Sequence, residues 1–191
     1  MKNPGWLLLF LVGTWACSRP LRHAHPTYTV SSTLADTAWY GMGEAVKVPK
    51  GTDKYCRQER FDLHVKSDFP YAGYQGRSDK YASVECAPAQ RIFMQGIPLR
   101  KGKHRLSKLK MCNFPTISTV SFALIGCSGG LHKQYRPQST PSGWVRVTRY
   151  EAATRTLEGQ FQLSLTDSTD GKTARFRRGT FRVPVVEVRT P

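Results

Sequence analysis

The segment LEGQFQLSL, residues Leu157–Leu165, shows the most regular side-chain pattern in the chain. Apolar and polar residues alternate along it, so an extended strand would have one apolar side and one polar side. The apolar positions are Leu157, Phe161, Leu163 and Leu165, and the polar positions are Glu158, Gln160, Gln162 and Ser164. This period of two is typical of an antiparallel sheet that covers a core with one of its faces.

The same period occurs in two earlier segments. In FDLHV, Phe61, Leu63 and Val65 share one face, and in STVSFALI, Ser118–Ile125, the apolar face contains Val120, Phe122 and Leu124. No window of helical length carries an apolar stripe at the helical spacing of about 3.6 residues. The sequence therefore predicts an all-β protein.

Turn signals support this fold class near the C-terminus. The segment DSTDGK, Asp167–Lys172, contains Asp-Gly between two alternating runs, which is a strong hairpin signal. The segment EAAT, Glu151–Thr154, joins the preceding run to LEGQFQLSL, so the last fifty or so residues predict a three-stranded meander. The apolar phase then changes at Arg178-Gly179, where we expect a glycine bulge. The predicted fold is a single antiparallel β-sandwich that ends in this meander.

The N-terminus resembles an export signal. The first sixteen residues carry one charge, Lys2, followed by an apolar run from Trp6 to Val12. That run is shorter than the roughly 20 apolar residues that span a bilayer, and Thr14 and Ala16 are small enough for cleavage after Ala16. We therefore predict a signal peptide at residues 1–16, a polar tether at 17–33 and the β-sandwich domain at 34–191.

Cys17 follows the predicted cleavage site. The segment TWAC resembles the lipobox of bacterial lipoproteins in Ala16 and Cys17, but Thr14 stands where leucine is usual and Trp15 is bulky for its position. The chain has five cysteines, and an exported protein with an odd number needs a use for one thiol. We expect Cys17 to be lipidated and to anchor the protein to a membrane of a bacterial cell envelope, most simply the outer membrane. The alternative is a secreted or periplasmic chain with a free thiol.

The other four cysteines are Cys56, Cys86, Cys112 and Cys127. In an oxidising compartment they are candidates for two disulfides, and no C-x₂-C spacing favours zinc. A strand from Ile117 to Ile125 would be roughly 26 Å long, which would keep Cys112 from reaching Cys127. Two connectivities then remain open, Cys56–Cys112 with Cys86–Cys127, or Cys56–Cys127 with Cys86–Cys112.

The sequence contains little that predicts catalysis. The segment GCSGG, Gly126–Gly130, resembles the nucleophile turn of chymotrypsin-like proteases, yet no orienting acid can be named for a base beside Ser128. No nucleotide-binding glycine loop and no set of metal ligands is present, so no cofactor, metal or catalytic residue is predicted. A hydrolase of glycan or peptide would require a cleft that gathers a carboxylate with His64 or His132.

Positive charge is the strongest functional signal. The chain carries 29 Lys and Arg against 13 Asp and Glu, and loss of Lys2 with the signal peptide would lower its net charge from +16 to +15. This excess attracts polyanions. The densest cluster comprises Arg100, Lys101, Lys103, Arg105, Lys108 and Lys110, and a second comprises Arg175, Arg177, Arg178 and Arg182. Aromatic residues that would stack on bases are sparse in the first cluster, so no specific nucleic-acid partner is predicted.

The C-terminal region resembles a group of small bacterial envelope lipoproteins of uncharacterised function. These proteins end in a strand, a turn and two strands bearing Gly-x-Phe. The matching segments are Gly143–Tyr150, Gly159-Gln160-Phe161 and Gly179-Thr180-Phe181, about a quarter of the chain. The resemblance implies a β-sandwich and an envelope location, and it implies no activity.

Together these observations predict a non-catalytic binding or structural module in the cell envelope. The first alternative is a protein that binds polyanions such as lipopolysaccharide, anionic lipid headgroups or acidic glycans, with the Arg100–Lys110 segment as its site. The second alternative is the envelope hydrolase.

Overall fold

The computed structural model of the protein describes residues 28–51, 58–67, 89–109, 119–125, 130–137 and 142–187. The predicted signal peptide, Cys17, the four disulfide candidates (Cys56, Cys86, Cys112 and Cys127) and Lys110 all lie outside these residues. Within the described parts of the chain, no helix is long and apolar enough to cross a membrane.

The described residues form ten strands, so the all-β prediction is confirmed. A short 3₁₀ turn, Leu106–Lys108, follows the fifth strand. The strands are β1 Val30–Leu34, β2 Thr37–Val48, β3 Arg60–Ser67, β4 Ala89–Pro98, β5 Gly102–Arg105, β6 Val120–Ile125, β7 Leu131–Arg136, β8 Ser142–Glu151, β9 Thr156–Asp167 and β10 Thr173–Glu187.

All ten strands belong to one hydrogen-bonded sheet, in the order β1-β10-β2-β3-β4-β6-β7-β9-β8-β5. Strand β10 pairs with β9 as well as with β2. The paired strands therefore form a closed circuit, in the order β10, β2, β3, β4, β6, β7, β9 and back to β10. The pairings are antiparallel except where Val185–Glu187 of β10 run parallel to Ala45–Lys47 of β2. Two residue pairs join β7 to β9. The sheet therefore curls around a single core.

The inward side chains follow the predicted alternation. Phe61, Leu63 and Val65 are buried on β3, and the apolar positions of LEGQFQLSL are buried on β9. Trp39 donates from Nε1 to Oε1 of Gln90 at 3.0 Å, which satisfies both polar groups inside the core. The largest side chains that are almost fully buried are Trp39, Phe61, Phe161, Phe176, Leu63, Ile92, Met94, Ile97, Leu106, Leu157, Leu163 and Leu165.

Strands β8, β9 and β10 form the predicted meander. Between Phe176 and Gly179, β10 gains one residue relative to β9, so the predicted bulge is present. Its left-handed residue, however, is Arg178, with φ of 52°. Gly179 is needed for space, because a Cβ atom there would come within 2.6 Å of the Phe161 ring.

Strand β1 corrects the predicted start of the domain. Val30–Leu34 lies in the sheet, paired with both β10 and β2, so ordered strand begins four residues before Leu34. Val30 is the apolar residue that β1 buries most deeply, and Ser32 is buried beside it. The Ser32 hydroxyl donates to the Arg177 carbonyl at 2.9 Å. A strand with this composition shows too little apolar alternation to be recognised from sequence.

Strand β6 corrects a second boundary. It begins at Val120, three residues later than the predicted start at Ile117, because Thr119 lies in a bend. Six residues extend only about 17–20 Å. The length of β6 therefore does not exclude a bridge between Cys112 and Cys127.

Candidate functional site

The first basic segment surrounds strand β5. Lys103 and Arg105 alternate with the half-buried Gly102 and His104 along β5, and both side chains point outward and are exposed. Arg100 and Lys101 are exposed in the turn before β5, and Lys108 is exposed in the 3₁₀ turn after it. β5 is the last strand in the sheet order and pairs with β8.

Strand β8 adds two side chains to this outer surface. Arg146 lies directly opposite Lys103, and Trp144 lies opposite Arg105. The Lys103 Nζ atom lies 4.6 Å from the centre of the Trp144 ring, and the Arg146 Cζ atom lies 6.0 Å from it. These distances are those of cation–π contacts. The half-buried indole thus lies within cation–π distance of two cations.

Strand β9 supplies amide groups beside these cations. Gln160 lies opposite Arg146, and Gln162 lies opposite Trp144. Both glutamines are exposed. β9 therefore presents neutral hydrogen-bonding groups on the surface where β5 and β8 present positive charge.

Strand β10 brings the second basic segment onto the same surface. Thr180 lies opposite Gln160, and the Arg177-Arg178 bulge faces Gln162. We define the basic face as the following outward side chains, which lie on these four strands in and between the two basic segments: Lys103, Arg105, Trp144, Arg146, Arg149, Glu158, Gln160, Gln162, Arg175, Arg177, Arg178, Thr180 and Arg182. The two sequence clusters are thus separated by only two strands.

Carboxylates neutralise only part of the basic face. Arg182 Nε lies 3.3 Å from a Glu158 oxygen, Arg177 Nη1 lies 3.3 Å from an Asp36 oxygen, and Arg149 pairs with Glu151. The other cations of the face have no carboxylate partner among the residues that the structure describes: Lys103, Arg105, Arg146, Arg175 and Arg178. The surface therefore keeps an excess of positive charge.

A groove with a volume of about 450 Å³ crosses the outer side of β2, β3 and β4. We call it the β2–β4 groove; it is lined by Met42, Gly43, Glu44, His64, Val65, Lys66, Arg91, Phe93 and Pro184. A Glu44 oxygen lies 4.0 Å from Nδ1 of His64, whose ring makes an edge contact with Phe93. The groove thus brings a carboxylate to His64, as the hydrolase alternative requires, but no lining residue carries a hydroxyl or thiol.

Asp62 lies next to this groove on β3 and is tied to the backbone. Its Oδ1 atom accepts the N–H of Gly96 at 2.8 Å, at a bulge where Gly96 has a φ of 68°. Burial raises the pKa of Asp62 above its ordinary value, although the Gly96 hydrogen bond and the nearby charge of His64 oppose the shift. Asp62 therefore holds the shape of β4 beside the groove.

A third charged cluster lies where β7 meets β9. Lys133 Nζ lies 2.6 Å from an Asp170 oxygen and 3.8 Å from an Asp167 oxygen. Hydrogen bonds from Thr169 lower the pKa of Asp167, and the hydrogen bond from Lys133 lowers the pKa of Asp170. Because only two residue pairs join β7 to β9, this cluster reinforces a short seam of the sheet.

His132, the other histidine named for the hydrolase alternative, is exposed on β7. Among the described residues, no group of three or more His, Cys, Asp and Glu side chains is arranged to hold a metal ion.

No motif in the sequence predicted that Trp144, Arg146 and the two β9 glutamines belong to a site. Their outward positions can be derived from the alternation of GWVRV and LEGQFQLSL. Their position between the two basic segments depends on strand pairing, for which local alternation contains no signal. Comparison of the chain with protein-family models, curated proteins and solved structures gave no match.

Proposed function

We propose that the protein is a non-catalytic binding module whose basic face binds an anionic polymer. The observation that carries this proposal is the convergence of two basic segments, more than sixty residues apart in sequence, on one outer surface. A surface with one dominant sign of charge attracts the opposite charge over long range.

Protection of a sheet edge explains only part of this charge. Cations on a terminal strand discourage pairing with other sheets, and Lys103 and Arg105 on β5 fit that role. Arg146 lies on β8, and Arg175 and Arg178 lie on β10, which have strands on both sides. Edge protection gives no reason for cations there, whereas binding of an anion does.

The pairing of Lys103 with Arg146 supports the same function. Like charges directly opposite each other on neighbouring strands destabilise a sheet by a few tenths of a kcal/mol, up to about 1 kcal/mol. A bound sulfate, phosphate or carboxylate would relieve this repulsion by bridging the two cations. The arrangement costs stability in the free protein and favours a ligand.

The absence of catalysis is part of the proposal and rests on the β2–β4 groove. Glu44 is exposed and His64 partly exposed, and the lining offers no hydroxyl or thiol for the pair to activate. Asp62 is engaged by the Gly96 N–H. If the proposal is right, substitution of Glu44 by Gln leaves every property of the basic face unchanged.

Location in the cell envelope through a lipid on Cys17 also belongs to the proposal. It is supported by the signal-like N-terminus and the odd number of cysteines. Intact-mass measurement on membrane-extracted protein should show diacylglycerol on a chain that begins at Cys17. A soluble chain with an unmodified Cys17 would contradict it.

The binding proposal is tested with two matched double variants. Lys103 and Arg146 form a cross-strand Lys–Arg pair on the basic face, and Lys66 and Arg91 form an equivalent pair in the groove. Since each exposed ion pair contributes about 0.2–1 kcal/mol, Lys103→Ser with Arg146→Ser should weaken heparin binding about tenfold.

The control, Lys66→Ser with Arg91→Ser, removes the same net charge and should change heparin affinity less than about twofold. Binding by the unchanged protein should weaken as salt rises, because charges are screened beyond about 8 Å at physiological ionic strength. Equal losses in the two double variants would mean that overall charge alone attracts heparin, and the proposed site would be wrong.

A further inference from the structure

Trp144 distinguishes the basic face from a simple patch of positive charge. The centre of the half-buried indole ring lies 4.6 Å from the Lys103 Nζ atom and 6.0 Å from the Arg146 Cζ atom. An aromatic ring carries negative partial charge on its face, which attracts cations and also the weakly positive C–H groups of a sugar ring. A sugar that stacks on Trp144 would place its acidic substituents close to both cations.

Neutral polar groups continue from Trp144 towards β10. In one row across the strands, Lys103 and Arg146 are followed by Gln160 and Thr180. The Thr180 hydroxyl lies 2.8 Å from that of Ser31 on β1. Amides and hydroxyls can both donate and accept hydrogen bonds, which matches the hydroxyl groups of a glycan.

Positive charge resumes on the far side of these polar groups. The parallel row runs from Arg105 through Trp144 and Gln162 to the Arg177-Arg178 bulge. From β5 to β10 there are three strand spacings, or about 14 Å. A ligand that uses both charged ends must therefore extend across the strands and cannot be a single phosphate or sulfate ion.

Two other classes of polyanion fit these side chains less well. Single-stranded nucleic acid is bound by several aromatic side chains on which successive bases stack, and Trp144 is the one aromatic residue of the basic face. Membrane surfaces are bound with the help of exposed apolar side chains. The large apolar residues that are most exposed among those described, Tyr40, Met42, Leu131 and Val186, lie outside the basic face.

From these observations we infer that the ligand of the basic face is an acidic glycan that crosses β8 and β9 with a sugar ring on Trp144. This inference rests on the proposed function and narrows it to one chemical class. Trp144 acts as a stacking platform, and the glutamines of β9 bind the uncharged part of the chain.

The test compares a polyanion that contains sugar rings with one that does not. Trp144→Ala should weaken heparin binding about fivefold and change binding of inorganic polyphosphate less than about twofold. Trp144→Phe, which keeps a ring, should restore most of the heparin affinity. Gln160→Ala with Gln162→Ala, which leaves the indole in place, should also weaken heparin more than polyphosphate.

The possible failures can be told apart. Equal losses of heparin and polyphosphate in Trp144→Ala would mean that the indole only positions Lys103, so the glycan inference fails while the binding proposal stands. Tighter binding of oligothymidine or of phosphatidylglycerol vesicles than of heparin would also overturn the inference. If Lys103→Ser with Arg146→Ser changes neither heparin nor polyphosphate binding, the proposed function itself fails.

Discussion

The basic face and the β2–β4 groove lie on the same sheet, yet their outward charges are arranged differently. Each contains a Lys–Arg pair directly opposite across two strands, Lys103 with Arg146 and Lys66 with Arg91. In the groove, Glu44 lies beside His64 one row away from Lys66 and Arg91. On the basic face, the row next to Lys103 and Arg146 contains Arg105, Trp144 and Gln162, and no carboxylate.

This difference shows which side chains serve folding and which are available for binding. Inward positions on both β3 and β9 are mostly apolar, because both strands cover the same core. Outward positions are free to vary at little cost in stability. An excess of one charge on one outer surface, with acids interspersed on another, therefore points to a ligand on the first.

We expect the largest effect from glycine substitution beneath the two surfaces. A Cβ at Gly159 on β9 would come within 2.3 Å of both the Arg146 carbonyl oxygen and the Phe181 ring, whereas one at Gly43 on β2 would meet valine methyl groups at 2.8 Å. Gly159→Ala should lower the free energy of unfolding by about 3 kcal/mol, and Gly43→Ala by about 1 kcal/mol. Urea unfolding measures both. Similar losses would show that the two strands pack equally closely.

The second prediction concerns acid sensitivity at the β7–β9 seam. The pKa of Asp167 is lowered from 3.8, so the stability it contributes is fully present above that pH and is lost as the pH falls through its lower folded value. Asp167→Asn keeps an oxygen for the Thr169 bonds but cannot titrate. Between about pH 5 and pH 3, its urea midpoint should fall less than that of the unchanged protein. If the urea midpoints of Asp167→Asn and of the unchanged protein fall equally, groups other than Asp167 cause the acid sensitivity.

Asp62, beside the groove, should respond to acid with the opposite sign. Its folded pKa is raised above 3.8, so protonation favours the folded state and stability rises as the pH falls through that value towards 3.8. Asp62→Asn retains an acceptor for the Gly96 N–H and should remove this rise. The measurement is the urea midpoint over the same pH series. If the urea midpoint of Asp62→Asn falls more steeply with acid than that of the unchanged protein, the raised pKa of Asp62 is supported. A shallower fall of the midpoint contradicts it.

The smallest expected effect is a gain in stability on the basic face. Arg146→Thr removes the charge opposite Lys103 and should leave the free energy of unfolding unchanged or raise it by about 0.5 kcal/mol, more at low salt. Gln160→Thr, which alters the same row without changing charge, is the control. A clear destabilisation specific to Arg146→Thr would show that its contact with Trp144 outweighs the repulsion.

The sequence by itself determined the fold class and much of the C-terminal meander. Alternation identified the inward residues of β3 and β9, and Asp-Gly at Asp170-Gly171 identified the hairpin turn. The bulge was predicted from a phase change that is visible within one strand. All these features arise from interactions between residues close in sequence. They can therefore be predicted from the order of apolar, polar and turn residues along the chain.

The first residues of β1 and β6 were less predictable than the residues that face the core. β1 is mostly polar and becomes a strand because β10 and β2 supply hydrogen bonds on both of its sides. The short β6 begins later than its apolar alternation indicated. In both cases, pairing with other strands decides where the ordered strand starts.

The sequence predicted the two basic segments of the candidate site, and the tertiary structure brings them onto one surface. Both basic segments could be recognised as runs of Lys and Arg, but each alone resembles an ordinary solvated strand. Only strand order places β8 and β9 between β5 and β10, which brings Arg146 beside Lys103 and Trp144 among the cations. The physical reason is that strand order follows from how distant segments pack around one core, and local composition contains no record of which segments will meet.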